Sequence, residues 1–461
     1  MLIVSISGIR GTIGGAAGEG LTPPDIVRFA TGYSAWIREQ MSDGRKPVVV
    51  IGRDARLSGP MVRDLLVGTL VGCGVDVIDC GLSTTPTVEL AVPGEQADGG
   101  IILTASHNPR QWNALKLLDA RGEFLSADAG RRVLELADAA PAYADVDELG
   151  QVTFRSNWID QHIDHTLHLR HTQADAIRAR QFKVAVDAVN STGGIAIPRL
   201  LEALGCSVIP VNCDPTGDFA HNPEPLPAHL TDLRKAVVEH GCDLGISVDP
   251  DVDRLAFVDE HGGWFGEEYT LVAVADYILG REGGGNTVSN LSSTRALRDV
   301  TARHGGTYTA AAVGEVNVVE AIRATSAVIG GEGNGGVIYP ESHAGRDALV
   351  GTAFFLSLLA ERGGTVSELR KSYPAYEMSK DKLALPSSGV EEALAALRAA
   401  HPEAEVNDVD GIKFDLPDGW VHLRRSNTEP IIRIYAEAET AELAVALGDK
   451  FKAELQSLLS T

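Results

Sequence analysis

The stretch LVGCGVDVIDC at residues 70–80 decides the fold class, because its pattern returns as ALGCSVIPVNC at residues 203–213. Both copies follow an apolar run, a polar loop and a helical segment, so each is typical of the helix end, glycine turn and second strand of a βαβ unit. A weaker third copy runs through a strand at 287–290, a helix at 296–303 and a strand at 307–311. Copies this far apart along the chain predict tandem α/β domains and not a solenoid.

The C-terminal part of the chain has a different pattern. Apolar segments at 411–416 and 420–423 flank the turn sequence PDG, which predicts a β-hairpin. A strand at 431–435 and a helix from Thr440 follow. We therefore predict an α/β chain of four domains: three related α/β domains with mixed sheets, and a smaller C-terminal α+β domain. The expected domain ranges are 1–152, 153–256, 257–368 and 369–461.

Composition excludes several classes of protein. The chain has 63 Asp and Glu against 40 Lys and Arg, a net charge of −23, which repels nucleic acid and anionic membranes at long range. No apolar stretch reaches the ~20 residues that a membrane span needs, and the N-terminus lacks the pattern of a signal peptide. Five cysteines without a CxxC pair disfavour structural zinc. We expect a cytoplasmic protein with reduced thiols.

A run of alternating aspartates is the strongest single chemical signal. Asp249, Asp251 and Asp253 lie between two apolar runs, and a period of two would place their carboxylates on one side of an extended backbone. Carboxylates ~4 Å apart repel by roughly 4 kcal/mol at an effective dielectric of about 20, and a hard divalent cation relieves this repulsion. An EF-hand would need glycine at the position of Arg254, so we reject calcium of that kind. Room for a phosphate oxygen favours Mg²⁺; a solvated acidic turn is the alternative.

Two further loops carry polar side chains at the ends of apolar strands. Ser106 follows one such strand, at the edge where open α/β sheets bind ligands, so it is either a candidate nucleophile or part of a mere turn. The glycine-dense segment 330–336 follows a predicted strand at 327–329. It would leave Glu332 and Asn334 exposed to bind sugar hydroxyl groups, unless it is only a flexible loop.

The segment RRSNTEPIIR at residues 424–433 offers three arginines, two hydroxyl groups and the N–H groups of a turn for binding a phosphate dianion. A surface salt-bridge cluster is the alternative. Arginines also stand in glycine-containing loops at Arg10, Arg53 and Arg56. Together the loops provide a nucleophile, a cation site, side chains that bind hydroxyl groups and a phosphate clamp. Phosphoryl transfer needs these parts.

These motifs resemble the signature loops of the α-D-phosphohexomutase superfamily, which includes phosphoglucosamine mutases, phosphomannomutases and phosphoglucomutases. The resemblance rests on TASHNP at 104–109, DPDVDR at 249–254 and RRSNTEP at 424–430, and it covers essentially the whole chain. It implies four domains around a central cleft, which the fourth domain closes. It also implies Mg²⁺ as cofactor and a hexose phosphate with its 1,6-bisphosphate as bound partners. Neither nucleic acid nor membrane is implied, and the chain would be a monomer or a homodimer.

The resemblance also assigns roles to matching residues. Ser106 would carry the phosphoryl group, and a phosphoserine oxygen would bind Mg²⁺ together with Asp249, Asp251 and Asp253. The other catalytic residues implied are Lys116, as a proton-transfer group, Arg10 and His107. The substrate-binding residues implied are Arg254, Glu332, Asn334, Arg424, Ser426, Asn427, Thr428 and Arg433.

In the mechanism that the resemblance implies, phospho-Ser106 donates its phosphoryl group to the free hydroxyl of a hexose 1- or 6-phosphate. The resulting 1,6-bisphosphate reorients without leaving, and the other phosphoryl group returns to Ser106. We expect the conversion of glucosamine 6-phosphate to glucosamine 1-phosphate, because the opening SISGIRGTIGG at residues 5–15 resembles that of phosphoglucosamine mutases.

The chain departs from the family pattern at three positions. Gly336 stands where many members have histidine, Asn427 stands where many have glycine, and Ala114 replaces the glycine of an Asn-Gly-x-Lys segment. His343 is our candidate replacement for the missing histidine. The alternative functions are a phosphomannomutase or phosphoglucomutase, a non-catalytic sugar-phosphate sensor, and a phosphatase that releases inorganic phosphate.

Overall fold

Four β-sheets follow one another along the chain in the computed structural model of the protein. The structure describes residues 1–5, 8–42, 44–139, 141–384, 389–426 and 431–459. Within these ranges no helix combines the length and the apolar character that crossing a membrane requires. The architecture confirms the predicted fold class, since three α/β units with mixed sheets precede a unit built on an antiparallel sheet.

The elements of the first unit are β1 (Leu2–Ser5), β2 (Gly8–Thr12), α1 (Pro23–Gln40), β3 (Val48–Arg53), α2 (Gly59–Gly72), β4 (Asp76–Leu82), α3 (Thr85–Gly94), β5 (Gly99–Leu103), β6 (Trp112–Leu118), α4 (Ala127–Asp138) and β7 (Val152–Phe154). The sheet order is β1-β2-β6-β5-β3-β4-β7. Strands β5, β3, β4 and β7 are parallel, and β1, β2 and β6 form an antiparallel side. The central strands are apolar along their length because helices cover both faces of the sheet.

The elements of the second unit are α5 (Trp158–His168), α6 (Ala174–Arg180), β8 (Lys183–Asp187), α7 (Gly193–Ala203), β9 (Ser207–Val211), α8 (Thr231–His240), β10 (Leu244–Val248) and β11 (Leu255–Asp259). The sheet order is β11-β10-β8-β9. Only β11 is antiparallel to its neighbour, so the chain must reverse direction between β10 and β11.

The elements of the third unit are α9 (Glu267–Glu282), β12 (Thr287–Asn290), α10 (Ala296–Arg303), β13 (Tyr308–Ala311), α11 (Glu315–Thr325), β14 (Ile329–Glu332), β15 (Gly336–Ile338), α12 (Ala348–Arg362) and α13 (Val366–Lys371). The sheet order is β13-β12-β14-β15, with β15 as the antiparallel edge. The pairs β3–β4, β8–β9 and β12–β13 are parallel neighbours, which confirms the predicted repeat.

The elements of the fourth unit are β16 (Glu377–Ala384), α14 (Val390–Ala400), β17 (Glu405–Asn407), β18 (Ile412–Leu416), β19 (Gly419–Arg425), β20 (Ile431–Ala438) and α15 (Ala441–Leu459). They form an antiparallel sheet in the order β16-β20-β19-β18-β17. The predicted hairpin is β18–β19, and the predicted C-terminal helix is α15.

One predicted strand has limits that differ from the structure. The strand predicted at 327–329 is wrong in its limits, because β14 begins at Ile329 and continues to Glu332. The expected domain limits after residues 152, 256 and 368 fall inside β7, β11 and α13. Moving each limit a few residues onward would keep these elements whole. Edge strands such as β7 and β11 belong to a sheet through their hydrogen bonds, and hydropathy does not reveal that pairing.

A shared apolar core joins the second and third units. The rings of Phe257 on β11 and Phe355 on α12 stack with centroids 3.7 Å apart. Close by, the N–H of Leu255 donates to the carbonyl of Gly335 at 3.1 Å, and the N–H of Ala348 donates to the carbonyl of Val252 at 3.2 Å. The β10–β11 turn, the β14–β15 turn and the start of α12 are therefore held against one another.

All five cysteines are free, and four of them are buried.

Candidate active site

Three aspartates meet in the turn that joins β10 to β11. Asp249, Asp251 and Asp253 are fully buried, and one oxygen of each carboxylate lies within 4.8 Å of the others. The predicted extended backbone is wrong here. Val252 has φ +65°, and its N–H donates to the carbonyl of Asp249 at 3.1 Å. A tight turn forms because β10 and β11 are antiparallel neighbours, and the turn brings the carboxylates together.

The hydrogen bonds of these aspartates leave two buried oxygens for a cation. Asp251 Oδ2 accepts from Lys116 Nζ at 2.7 Å and from Thr85 Oγ1 at 2.6 Å. Asp253 Oδ2 accepts from Arg346 at 2.7 Å. The other oxygen of both carboxylates, Oδ1, is buried without a hydrogen-bond partner among the described residues. An unpaired buried carboxylate oxygen is costly, so this arrangement fits a hard divalent cation.

Burial and neighbouring charges raise the pKa of some groups in this cluster and lower the pKa of another. Burial, followed by the charges of Asp253 and Asp251, raises the pKa of Asp249 well above its usual range. Burial would also raise the pKa of Asp251, but the ion pair with Lys116 outweighs burial and lowers it. Burial favours the neutral form of Lys116, but Asp251 and Asp253 outweigh burial and raise the pKa of the amine. Lys116 therefore stays cationic at neutral pH and offsets one carboxylate.

Ser106 lies just after β5, where its hydroxyl faces the aspartates of the second unit. Its Oγ donates to Asp249 Oδ2 at 2.7 Å and lies 3.3 Å from His107 Nδ1. The residue is only 7% exposed, and its φ of +48° places the backbone in the left-handed region. This conformation is uncommon for a residue with a side chain and is found at functional sites. The structure therefore places the predicted nucleophile beside the predicted metal carboxylates.

Arg56 fixes the loop that carries Ser106. Its side chain is fully buried, and its Nε donates to Asp54 Oδ2 at 2.9 Å. Asp54 Oδ2 also accepts from Thr104 Oγ1 at 2.7 Å. The other guanidinium donors bind the backbone carbonyls of Ser106, Asn108 (2.7 Å), Pro109 (2.9 Å) and Trp112 (3.1 Å). All five N–H donors of Arg56 are thereby used within the loop, so this arginine serves the loop and not a ligand.

Arg10 and Arg254 supply positive charge beside the aspartates. Arg10 lies on β2, next to the strand that carries Lys116, and Arg254 Nη1 contacts Glu224 Oε1 at 3.1 Å. Burial, followed by the charge of Arg254, lowers the pKa of Arg10. Burial, then Arg254 and Arg10, lowers the pKa of His107 well below its usual range. The arginines suit an anionic ligand, and His107 is neutral at physiological pH.

The glycine-dense segment forms a β-hairpin and not an exposed loop. Glu332 belongs to β14 and is 5% exposed, so the predicted exposure of this side chain is wrong. Glu332 pairs with Gly336 on β15, and the preceding residues of β14 pair with β12, so this residue is part of the sheet. Asn334 lies in the turn, where its Oδ1 accepts from the N–H of Gly336 at 3.2 Å. The carboxylate of Glu332 accepts from Asn290 Nδ2 (2.9 Å), the N–H of Gly314 (3.2 Å) and Arg346 Nη1 (2.9 Å).

The predicted phosphate clamp lies at the end of two paired strands in the fourth unit. Arg424 of β19 is directly opposite Arg433 of β20. The N–H of Ser426 donates to the carbonyl of Ile431 at 2.9 Å and so brings the strands together. The structure thus collects three of the predicted residues at one strand end. Asn427 and Thr428 lie outside the described residues.

Three residues that sequence reasoning missed complete the site: Thr85, Glu315 and Arg346. Thr85 and Glu315 begin helices α3 and α11, and Arg346 lies shortly before α12. Each is a single polar residue without a motif of its own. One signal was available for Arg346, because it immediately precedes Asp347 and a long apolar helix. A charge in that position is expected to be buried and therefore paired.

His343, the candidate replacement for the family histidine, lies in a separate buried cluster. Its Nε2 is 3.0 Å from Asp347 Oδ2, and its Nδ1 is 3.1 Å from Glu89 Oε2. His162 Nε2 contacts the same oxygen of Asp347 at 2.8 Å. Burial favours neutral His343, but Asp347 and Glu89 outweigh it and raise its pKa to about 10. The contacts found for His343 join it to this cluster, which links the first three units, and not to the β14–β15 hairpin.

Sequence comparison places the whole chain within one family. Models of phosphoglucomutase/phosphomannomutase α/β/α domains I, II and III match residues 2–143, 160–263 and 266–376, and the C-terminal domain of that family matches residues 382–453. A Thermococcus kodakarensis protein named phosphoglucomutase/phosphomannomutase is 36% identical over 441 residues, covering 94% of this chain and 95% of the relative. A Methanopyrus kandleri protein named probable phosphoglucosamine mutase is 34% identical over 448 residues, covering 96% of both.

Structural comparison gives the same result for the fold. A crystal structure of a phosphoglucomutase/phosphomannomutase family protein from Burkholderia thailandensis superposes with a TM-score of 0.85 at 27% identity, covering 99% of this chain and 98% of the other. The likeness extends over all four units.

Proposed function

We propose that this chain, which belongs to the phosphoglucomutase/phosphomannomutase family, interconverts the 6- and 1-phosphates of glucosamine through a phosphorylated Ser106. Family membership makes the chain a phosphohexomutase. The sugar and the chemical steps are our proposal. The observation that carries it is the 2.7 Å contact between Ser106 Oγ and Asp249 Oδ2, because it joins a nucleophile to a cluster of carboxylates suited to a cation.

The proposed cofactor is Mg²⁺, held by Asp249, Asp251 and Asp253. When bound, the ion would neutralise charge on the phosphoryl group and polarise the phosphorus for attack. The residues around the carboxylates prepare them for this role. Lys116 and Thr85 fix one oxygen of Asp251, and the other has no hydrogen-bond partner in the described part of the chain. Ligand carboxylates oriented by such outer contacts are typical of protein metal sites.

Each proposed transfer moves one phosphoryl group and one proton. A bond forms between a sugar oxygen and phosphorus, the bond from phosphorus to Ser106 Oγ breaks, and the proton of the sugar hydroxyl is replaced by one on Oγ. Lys116 can donate a proton because its carboxylate neighbours keep it cationic. His107 is neutral, so a ring nitrogen is free to accept a proton, although burial and nearby arginines lower its pKa and make it a weak base. The return transfer runs these steps in the opposite direction.

The proposed substrate contacts surround this centre. Glu332 and Asn334 would bind sugar hydroxyl groups, and Arg10 and Arg254 would offset negative charge near the nucleophile. The distal phosphate would be held by the strand end of the fourth unit, through Arg424, Ser426, Asn427, Thr428 and Arg433. Guanidinium groups suit this task because they bind phosphate with two parallel hydrogen bonds.

Glucosamine is the proposed sugar because the N-terminal segment resembles phosphoglucosamine mutases and because a relative of near-full coverage carries that name. Another relative is named for glucose and mannose phosphates. A panel of substrates separates these choices. Purified protein with Mg²⁺ and a trace of matching bisphosphate would receive glucosamine, mannose or glucose 1-phosphate, with phosphorus NMR following the 6-phosphate.

We expect the glucosamine 6-phosphate signal to grow fastest and to be absent with Ser106→Ala. Faster conversion of mannose or glucose phosphate would replace the proposed sugar and keep the mutase. Release of inorganic phosphate would indicate a phosphatase. Folded, Mg²⁺-loaded protein that converts none of the three sugars would indicate a sensor and contradict the proposal.

A further inference from the structure

The side chain of Arg346 occupies the space in which a side chain at position 336 would have to lie. Gly336 opens β15 and is paired with Glu332 across the hairpin. A Cβ on Gly336 would lie 3.0 Å from Arg346 Cγ and closer still to Cδ. Contacts this short are not tolerated between side-chain carbons, so glycine at 336 and arginine at 346 depend on each other.

The guanidinium of Arg346 joins carboxylates from three different elements. Nη2 lies 2.7 Å from Asp253 Oδ2 in the β10–β11 turn, and Nη1 lies 2.9 Å from Glu332 Oε2 on β14. Nε lies 2.9 Å from Glu315 Oε2 at the start of α11. The side chain is about nine-tenths buried. Three separate acceptors suit the rigid fork of arginine, and the point charge of lysine cannot reproduce that geometry.

Glu315 locks Arg346 in this position. One oxygen of Glu315 accepts from Arg346 Nε, and the other accepts from its backbone N–H at 3.1 Å. The next residue, Asp347, donates its N–H to the carbonyl of Val337 on β15 at 2.8 Å. Both the backbone and the side chain of Arg346 are therefore held. Its guanidinium has a fixed position between the β14–β15 hairpin and the β10–β11 turn that carries the three aspartates.

The carboxylate of Glu332 is thereby left with limited free capacity. A carboxylate has about four acceptor sites. Arg346, Asn290 and the N–H of Gly314 take three of them, and Asn334 Nδ2 makes a longer contact with Oε2 at 3.5 Å. Arg346 makes the short hydrogen bond to Oε2, which Asn334 also contacts, and Asn290 and the N–H of Gly314 both donate to Oε1. The direction in which Glu332 can accept a further hydrogen bond therefore depends on Arg346.

We propose that Arg346 is a positioning residue that sets the sugar-binding carboxylate of Glu332 relative to the metal-binding carboxylate of Asp253. Its stem takes the place of a side chain at Gly336, the position where many superfamily members have histidine. The sugar-binding half of this inference rests on the proposed function. The steric half, which says that the side chain of Arg346 fills the space beside Gly336, rests on contacts within the chain alone.

A double-mutant cycle tests the steric half on metal-free protein. Thermal unfolding would be measured for wild type, Gly336→Ala, Arg346→Ala and the double variant. We expect Gly336→Ala to lower the unfolding midpoint in wild type and to have a clearly smaller effect once Arg346 is alanine, where Asn334 Oδ1, 3.1 Å from the added Cβ, is the remaining close neighbour. The same loss in both backgrounds would contradict the inference. Gly68→Ala is the matched control, because a Cβ there meets nothing within 4 Å, and its effect should be equal in both backgrounds.

Arg346→Met removes the positive charge of the side chain and keeps its aliphatic part. It therefore distinguishes the effect of the charge from the effect of the filled space. Calorimetry on metal-free protein would compare the binding of glucosamine 6-phosphate with that of inorganic phosphate. We expect sugar-phosphate affinity to fall by about tenfold or more, while phosphate affinity, which depends on the fourth unit, stays within about twofold. Arg346→Lys should restore only part of the loss. Arg38→Met, which removes an arginine on α1 that donates to the carbonyl of Cys73, is the control.

Each outcome decides between the inference and the function on which it rests. Equal losses for both ligands, or no loss for either, would contradict a role for Arg346 in positioning Glu332. Wild-type protein that binds inorganic phosphate but no hexose phosphate would overturn the proposed function. In that case the double-mutant cycle would still decide whether Arg346 fills the space beside Gly336.

Discussion

Ser106 and Asp249 are 143 residues apart in the sequence, and a 2.7 Å hydrogen bond joins Ser106 Oγ to Asp249 Oδ2. The two residues belong to different units, so the contact between those units sets the geometry of the site. Backbone hydrogen bonds secure this contact beside the aspartates. The N–H of Thr85 donates to the carbonyl of Asp251 at 2.9 Å, and the N–H of Ala55 donates to Ser191 Oγ at 3.3 Å.

Mg²⁺ should stabilise the folded protein through the unpaired oxygens of Asp251 and Asp253. At a free Mg²⁺ concentration about one hundred times its Kd, the gain in the free energy of unfolding should be about 2.7 kcal/mol. Asp253→Asn should remove most of this gain, because it removes a buried ligand charge. Thermal unfolding with Mg²⁺ and with chelator checks the prediction. Asp160→Asn, on the surface of α5, should respond like wild type; equal stabilisation of Asp253→Asn would exclude the aspartate turn as the metal site.

Lys116→Met should lower kcat by about 10²–10⁴-fold, because it removes both a proton donor and the counter-charge of Asp251. Lys116→Arg should not restore the rate, because the larger guanidinium cannot reproduce the compact contact of Nζ. Steady-state kinetics measures both effects. Lys183→Met, which alters a surface lysine bound to the carbonyl of His240, should leave kcat unchanged. A Lys116→Met enzyme with near-wild-type kcat would show that another group transfers the proton.

Arg56→Lys should lower kcat by about 10²-fold, because lysine cannot hold the four carbonyls that shape the Ser106 loop. Arg56→Met should also lower the free energy of unfolding by about 3–5 kcal/mol, since it leaves Asp54 buried without its partner. Urea unfolding and single-turnover kinetics give the two values. The neighbouring Arg53→Met should cost much less. If Arg56→Lys kept the wild-type rate, the loop would be held by other contacts.

The stability of the protein should fall as pH rises from about 7 to about 10, because of the cluster around His343. Asp347 and Glu89 outweigh burial and raise the pKa of His343 to about 10, against about 6.5 in an unfolded chain. Its contribution is thus complete below about pH 6.5 and disappears as pH rises through its folded pKa.

Urea unfolding at a series of pH values measures this decline. His343→Gln should flatten it, and exposed His168→Gln should not. The other charged groups at the cluster are His162 and Asp347, with Lys116 and Glu315 close to Glu89. Burial would raise the pKa of Asp347, but the histidines outweigh burial and lower it, so its contribution is lost only in acid. An unchanged slope in His343→Gln would assign the decline to other groups.

The parts of the site that lie in short sequence motifs could be predicted. Asp249, Asp251 and Asp253 share one turn, and Ser106 follows an apolar strand, so composition and spacing alone indicate their chemistry. The repeat of strand, helix, glycine turn and strand likewise predicted the three parallel pairs. These features are local, and a local pattern is enough to specify them.

The remaining parts depend on contacts between distant segments. Arg346 lies 93 residues from Asp253 and 31 from Glu315, and no spacing rule connects them. The glycine-dense sequence around Glu332 predicts an exposed loop, but pairing with Gly336 on β15 makes Glu332 part of the sheet. Arg56 resembles a ligand-binding arginine in sequence, yet its donors are used by the Ser106 loop. Tertiary pairing decides each of these cases.

Phosphoryl transfer through Ser106 is the central claim, and peptide mass spectrometry tests it most directly. The protein would be treated with a hexose 1,6-bisphosphate and Mg²⁺, freed of excess ligand, and then given glucosamine 6-phosphate. We predict one phosphoryl group on Ser106 after the first step and its transfer to the added sugar, as bisphosphate, after the second. Phosphate that stays on Ser106, leaves as inorganic phosphate, or never reaches this residue while sugar phosphates still interconvert would contradict the account.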